Sequence, residues 1–216
     1  MLSLDPFYPI VPNTVLLERL LPQGIKLVQL RIKDATPNVL KAEISRALEL
    51  CAAYDCQLVV NDHWREAIAT GADFVHLGQE DLKAADLSSI RQAGIRIGIS
   101  THSLAELATA LRAIPDYVAL GPIYPTKLKA MPWAPQGLER IEQWRARIEC
   151  PLVAIGGITL QRVADVLAAG ADSAAVITDI VTSEDPERQT QNWIRATQAR
   201  RDLSTGVFGR TRHKVT

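Results

Sequence analysis

Along the chain, short runs of Val, Ile, Leu and Ala alternate with longer segments in which apolar residues recur every three or four positions. The runs are PFYPIV (6–11), KLVQLRI (26–32), QLVVN (57–61), FVHLG (74–78), IRIGIS (95–100), YVALG (117–121), LVAIGG (152–157) and SAAVIT (173–178). Each has the length and β-branched content of a strand. Between them TPNVLKAEISRALELCAAY, SLAELATALRAI, GLERIEQWRARI and TLQRVADVLAAG carry the helical period, several opening on Ser or Thr and closing near Gly. A final helix is expected over DPERQTQNWIRATQARR (185–201).

Strands that are apolar throughout expect cover on both faces, the habit of parallel sheets wrapped by helices. Eight strand–helix units within 216 residues predict a single-domain α/β protein, a (β/α)8 TIM barrel. Residues 1–200 form the barrel on this reading, and 201–216 a disordered, solvated tail whose basic residues could attract a partner. An open doubly wound sheet is the alternative. It expects G-x-G-x-x-G after the first strand, and PFYPIVPN has none.

In a barrel the catalytic residues gather where strands end. The ends here read QLRIKD, VVND, HLGQED, GIST, GPIYPTKLK, AIGG and VITD, so polar groups converge on one mouth. After the sixth run comes GPIYPTKLKAMPWAPQG, Gly121 to Gly137, whose four prolines exclude helix and central strand. A loop this long inside a compact domain predicts a lid. Trp133 on it would cover the site or rest on the barrel rim.

Composition narrows the partners. Lys+Arg and Asp+Glu stand at 24 each, so no overall field recruits nucleic acid or an anionic membrane, and an anionic ligand must be met locally. The opening MLSLDPFYPIVPN lacks a basic stretch and a long apolar core, and no apolar run reaches the roughly 20 residues of a membrane span. A soluble, cytoplasmic protein is expected. Cys51, Cys56 and Cys150 have no C-x-x-C spacing and are read as reduced and packed, and the four scattered histidines argue against zinc.

Asp62 and Asp81, with Asn61 and Gln79 beside them, suit a hard divalent ion such as Mg2+, which one or two carboxylates hold while waters and substrate phosphates complete its shell. Each could instead merely cap the following helix. Arg31, Lys33 and Lys129 would face the same space, and a diphosphate would account for both signs of charge. Paired glycines in AIGGI, with VIT at the eighth strand end, suggest a second phosphate site, or simply a turn.

From about Leu27 to Ile180 the strings QLRIKD, NDHW, GADFVHLGQEDL, GISTH, GPIYPT with Lys129, QGLE, AIGGI and AAVIT resemble the thiamine-phosphate synthase family. The resemblance implies the same barrel and a transferase of thiamine biosynthesis. It would join hydroxymethylpyrimidine diphosphate to hydroxyethylthiazole phosphate, releasing diphosphate first and leaving a pyrimidine methylene cation for the thiazole nitrogen. Asp62 and Asp81 would hold magnesium. Gln29, Arg31, Lys33, Asn61 and Ser100 would contact the pyrimidine or its diphosphate, and Lys129 the leaving group. Thr126 would touch the thiazole, whose phosphate Gly157, Ile177 and Thr178 would receive. Thr178 stands where the family usually has Ser, and Leu128 replaces a Thr of the lid pattern. A raised thiazole KM is expected from Leu128. A homodimer is possible for such a barrel.

The related thiazole tautomerases lack most of the diphosphate and metal set present here. A ligand-binding protein without catalysis is the other alternative, favoured only by Leu128. No base–nucleophile pair is recognisable in the sequence, and His76 and His102 are read as structural.

Overall fold

The computed structural model describes residues 2–126 and 133–206, with side chains described through residue 202. Eight parallel strands close into one barrel in chain order: β1 Phe7–Val11, β2 Leu27–Leu30, β3 Gln57–Asn61, β4 Phe74–Leu77, β5 Arg96–Thr101, β6 Tyr117–Leu120, β7 Leu152–Ile155 and β8 Ser173–Val176. Closure is direct, Phe7 of β1 lying opposite Ala174 of β8. All eight expected strands are present, so the (β/α)8 fold holds.

The helices are α1 Thr14–Leu20, α2 Pro37–Ala53, α3 Trp64–Thr70, α4 Gln79–Ala84, α5 Leu87–Gln92, α6 Leu104–Arg112, α7 Gly137–Arg145, α8 Val163–Ala168, α9 Thr178–Val181 and α10 Pro186–Gly206. Local chemistry starts several of them. The side chains of Asn13, Asp86 and Ser103 accept from the amides of Leu16, Ser89 and Glu106, capping α1, α5 and α6. Five helices, α1, α3, α4, α5 and α9, have no counterpart in the sequence reading, because four to seven residues carry too few turns for a clear period. The expected α8 shortens to Val163–Ala168.

Burial separates into two layers, as period-two strands require. Phe7, Val28, Leu30, Leu58, Val60, Val75, Ile97 and Val118 face outward against the helices, beside Leu17, Ile44, Leu107 and Trp144. Tyr8, Ile10, Leu27, Val59, Phe74, Tyr117, Ala119, Val153 and Ala175 fill the inside. Trp193 of α10 stacks on Phe7 at 5.4 Å between ring centroids, and its indole N–H donates to Asp179 at 2.7 Å. Trp144 of α7 donates to Thr101 Oγ1 at 2.9 Å, joining helix to sheet.

Helix α10 ends five residues beyond the expected Arg201, so 201–206 belong to the helix rather than to the expected tail. Arg201 reaches the largely buried carboxylate of Asp5 at 2.8 Å, tying this end of α10 to the segment before β1. Residues 207–216, the rest of the expected tail, lie outside the described residues. All three cysteines are free, Cys51 and Cys56 buried and Cys150 half-buried. Among the described residues no helix is long and apolar enough to cross a membrane.

Candidate active site

The C-terminal strand ends form a mouth with two unlike halves. On β2 to β5 the upper inward positions are Gln29, Asn61, His76 and Ser100; on β6 to β8 the inward positions beyond Tyr117 are small or aliphatic, Ala119, Val153 and Ala175. Register explains the grouping. Asn61 lies opposite His76, His76 opposite Gly98, and Gln29 opposite Val59, so neighbouring strands bring their polar residues to similar heights.

Inside the polar half runs an unbroken chain of hydrogen bonds. Gln29 Nε2 donates to Tyr8 Oη at 3.1 Å, and Tyr8 Oη lies 3.1 Å from Tyr117 Oη. Tyr117 Oη lies 2.7 Å from His76 Nδ1, and His76 Nε2 lies 2.7 Å from Ser100 Oγ. Gln79 Nε2 donates to the Ser100 carbonyl at 2.6 Å, so it braces β5 rather than joining the carboxylates. Burial pushes both tyrosine hydroxyls well above their ordinary range, and they stay protonated. Desolvation, helped by the charge of Arg31, lowers His76 to about 4 and keeps it neutral near pH 7.

Ser100 and His76 thus form the kind of pair that the sequence did not reveal. It is a poor nucleophile–base pair nonetheless: a useful base titrates near the working pH, and this imidazole gives its other nitrogen to a tyrosine rather than to an orienting carboxylate. His76 is structural in that sense. Tyr8 and Tyr117 were not read as site residues, because one sits in a first strand without a polar end and the other begins its strand on the far side.

Asp62 follows β3 directly and holds φ 61°, a left-handed conformation that Asp tolerates better than most residues. Its amide donates to the His76 carbonyl at 2.8 Å, and Asn61 Nδ2 donates to its carboxylate. Asp81 comes from the first turn of α4, not from a strand end, and reaches the same point. Burial, then the charge of Asp81, raise the pKa of Asp62; the Gly78 amide and Arg31 oppose them. A Cβ on Gly78 would lie 2.9 Å from Asp81 Oδ2, so only glycine leaves the carboxylate this close to its own turn.

Among the described residues no three His, Cys, Asp or Glu side chains cluster as a complete metal cage. Two half-buried carboxylates that repel one another are still the donor set magnesium accepts, given water and phosphate oxygens for the rest. The residues fit the ion. Arg31 lies just past β2, close enough for its charge to act on both Asp62 and His76, while Lys33 stands exposed two residues further on.

In the other half, Gly156 and Gly157 hold φ 99° and 64°. A Cβ on Gly157 would meet the Pro125 carbonyl at 2.5 Å, so the glycines first of all admit the segment after β6. That segment is tied down by Ile123 and Tyr124 amides donating to the carbonyls of Ile155 and Gly156, and by Arg162, which lies 4.5 Å over the Tyr124 ring and donates to the Gly157 carbonyl at 2.6 Å. Thr126 is half-buried in it. Ile177 precedes α9 and Thr178 opens it, both beyond the end of β8. Leu128 and Lys129 lie outside the described residues. Trp133 stacks on His102 at 5.8 Å, whose ring bonds Glu106 at 2.8 Å, so it rests on the rim.

A depression of about 430 Å³ lies at the opposite end of the barrel, lined by Lys26, Cys51, Cys56, Gln57 and Asp73 among others. Its polar groups satisfy one another, Lys26 with Asp55 at 3.2 Å and Gln57 with Asp73 at 2.8 Å, and none of the mouth residues reaches it.

Known proteins resemble the chain in sequence and in fold. Residues 8–180 match the family model described as thiamine monophosphate synthase. A thiamine-phosphate synthase of Rhizobium etli is 60% identical over 197 residues, covering 91% of this chain and 97% of that protein. One from Yersinia pestis is 48% identical over 184 residues, covering 85% and 86%. The solved thiamine phosphate pyrophosphorylase of Pyrococcus furiosus superposes with a TM-score of 0.80 at 28% identity, covering 91% of this chain and 96% of its own. The chain belongs to the thiamine monophosphate synthase family, transferases of thiamine biosynthesis.

Proposed function

We propose that this chain condenses hydroxymethylpyrimidine diphosphate with hydroxyethylthiazole phosphate, giving thiamine phosphate and diphosphate, with magnesium held by Asp62 and Asp81. The observation that carries the reading is the meeting of those two carboxylates beside Arg31 at the polar half of the mouth, in a chain so close to named synthases. Magnesium, when bound, would neutralise charge on the departing diphosphate. Arg31 and Lys33, with Lys129, would hold its remaining oxygens, and the Ser100 hydroxyl would add a donor.

Gln29 and Asn61 would orient the pyrimidine. Departure of the diphosphate before attack would leave a pyrimidine methylene cation, and the groups of the interior hydrogen-bond chain, against which its ring would sit, suit that order. They are hydroxyls, an amide and a neutral imidazole, none of which adds positive charge beside a developing cation. Thr126 and the amides of Gly157, Ile177 and Thr178 would take the thiazole and its phosphate, in the half where small side chains leave room. Work in the cytoplasm and a homodimer belong to the same proposal, the second open to equilibrium sedimentation.

Purified protein mixed with magnesium and both substrates should form thiamine phosphate and diphosphate in equal amounts, and chelation should stop both. Binding of both substrates without product would instead make the chain a ligand-binding protein.

A further inference from the structure

The hydrogen bonds from Gln29 to Ser100 have a direction, and the direction has a consequence. Gln29 Nε2 can only donate to Tyr8 Oη. A neutral imidazole donates through one nitrogen and accepts through the other, so Tyr117 and Ser100 cannot both donate to His76. Two arrangements remain. In the first, Gln29 donates to Tyr8, Tyr8 to Tyr117, Tyr117 to His76 Nδ1, and His76 Nε2–H to Ser100 Oγ. The Ser100 hydrogen is then left for something else. In the second, Ser100 donates to Nε2, Nδ1–H to Tyr117 and Tyr117 to Tyr8. Tyr8 then either accepts from both neighbours and leaves its own buried hydrogen without a partner in the chain, or donates to the Gln29 side chain. The latter requires the amide turned over, with its oxygen toward Tyr8.

We propose that Tyr8, Tyr117 and His76 are positioning residues that lock the first arrangement, so that the Gln29 amide and the Ser100 hydroxyl are oriented together. The inference rests on the proposed synthase reading. Ser100 then donates its hydrogen to an anionic diphosphate oxygen, the polarity an anion needs. Gln29 keeps one N–H and its carbonyl oxygen for the pyrimidine, a donor and an acceptor side by side. An aminopyrimidine edge, with an amino donor next to a ring-nitrogen acceptor, is their complement. The two ends of one substrate are therefore read by two ends of one chain.

Geometry supports the lock. The Tyr117 ring lies in a plane 15° from that of His76 and edge-on to Phe74 and Tyr8, so its hydroxyl has little freedom. Gly98 supplies the space: a Cβ there would lie 2.1 Å from Tyr117 Cζ.

The test uses the whole chain with Tyr117→Phe, which keeps the ring and removes the hydroxyl. KM for the pyrimidine diphosphate should rise about tenfold, the loss expected for one hydrogen bond to a charged partner, with the thiazole phosphate KM within about twofold of wild type. In a Ser100→Ala background the same change should have a smaller effect, because only the Gln29 end of the chain is left for it to act on. Imidazole 15N shifts, with His76 assigned from a His76→Gln variant, should show the Nε2–H tautomer. An Nδ1–H tautomer, an unchanged Tyr117→Phe enzyme, or equal effects in both backgrounds would overturn the chain while leaving the synthase reading intact. A wild-type protein that makes no thiamine phosphate would overturn that reading, and this inference with it.

Discussion

Replacing Gly98 by alanine should test the barrel interior most severely. An added Cβ would sit 2.1 Å from Tyr117 Cζ, 2.3 Å from Cε1 and 2.6 Å from the hydroxyl oxygen. The ring is fully buried between Phe74, His76 and Tyr8 and has no route to solvent. It must shift by about 1.5 Å to restore ordinary contact, which strains a close-packed core by about 1–3 kcal/mol. The shift also stretches the hydroxyl bonds to His76 and Tyr8, each worth about 1 kcal/mol. We expect a loss of about 3–5 kcal/mol, a large share of the 5–15 kcal/mol that typically holds a domain together. Urea unfolding followed by fluorescence of the buried Trp144 and Trp193 would measure it. In a Tyr117→Leu background the clash disappears, and the same substitution should cost under about 1 kcal/mol. Equal costs in the two backgrounds, or a Gly98→Ala protein within about 0.5 kcal/mol of wild type, would refute the reasoning.

His76 makes stability depend on pH. Its folded pKa of about 4 lies below the ordinary 6.5, so the unfolded chain binds the proton first and stability falls as pH drops from 6.5 toward 4, by about 2 kcal/mol at pH 5. His76→Asn should remove that part of the slope between urea midpoints at about pH 7 and 5; a variant as steep as wild type would contradict it. Asp62→Asn should abolish nearly all turnover with the fold kept, and near-normal rates in saturating magnesium would count against the metal assignment. Because the Asp62 pKa is raised, its ionisation opposes folding at neutral pH, so the same variant without metal should be more stable than wild type. Leu128→Thr should lower the thiazole phosphate KM, and an equal or higher value would show that no hydroxyl is wanted there.

The barrel was legible because its strands are covered on both faces and so read as unbroken apolar runs, each with turn residues after it. The charged rim was legible for the same reason: Arg31, Asn61 and Asp62 stand where a run stops. Asp81 was found by position but misplaced on a strand end, since a helix as short as α4 has no visible period. The interior chain was illegible. Tyr8 and Tyr117 look like ordinary strand aromatics, and their partners lie 21 and 41 residues away, separations that only closure of the barrel brings together. The glycines after β7 suggested a phosphate turn, and what they visibly admit is the Pro125 carbonyl. A clash of that kind has no trace in local sequence.

The division between rim and interior follows from what burial costs. An unpaired ion inside a barrel loses far more hydration than a hydroxyl or an amide, which a single good hydrogen bond can satisfy. Here the charges that the proposed reaction needs, Arg31, Asp62 and Asp81, are half-exposed, where water still supports them before a ligand arrives. The deeper groups, Gln29, Tyr8, Tyr117 and His76, are neutral and joined to one another by hydrogen bonds. Such a chain can stay fully buried in the empty barrel without strain or partner ions. It therefore offers the pyrimidine a preformed edge, while the charged rim completes its coordination only with the diphosphate and metal. Affinity for the charged end should then depend on salt and magnesium, and recognition of the ring should depend on neither.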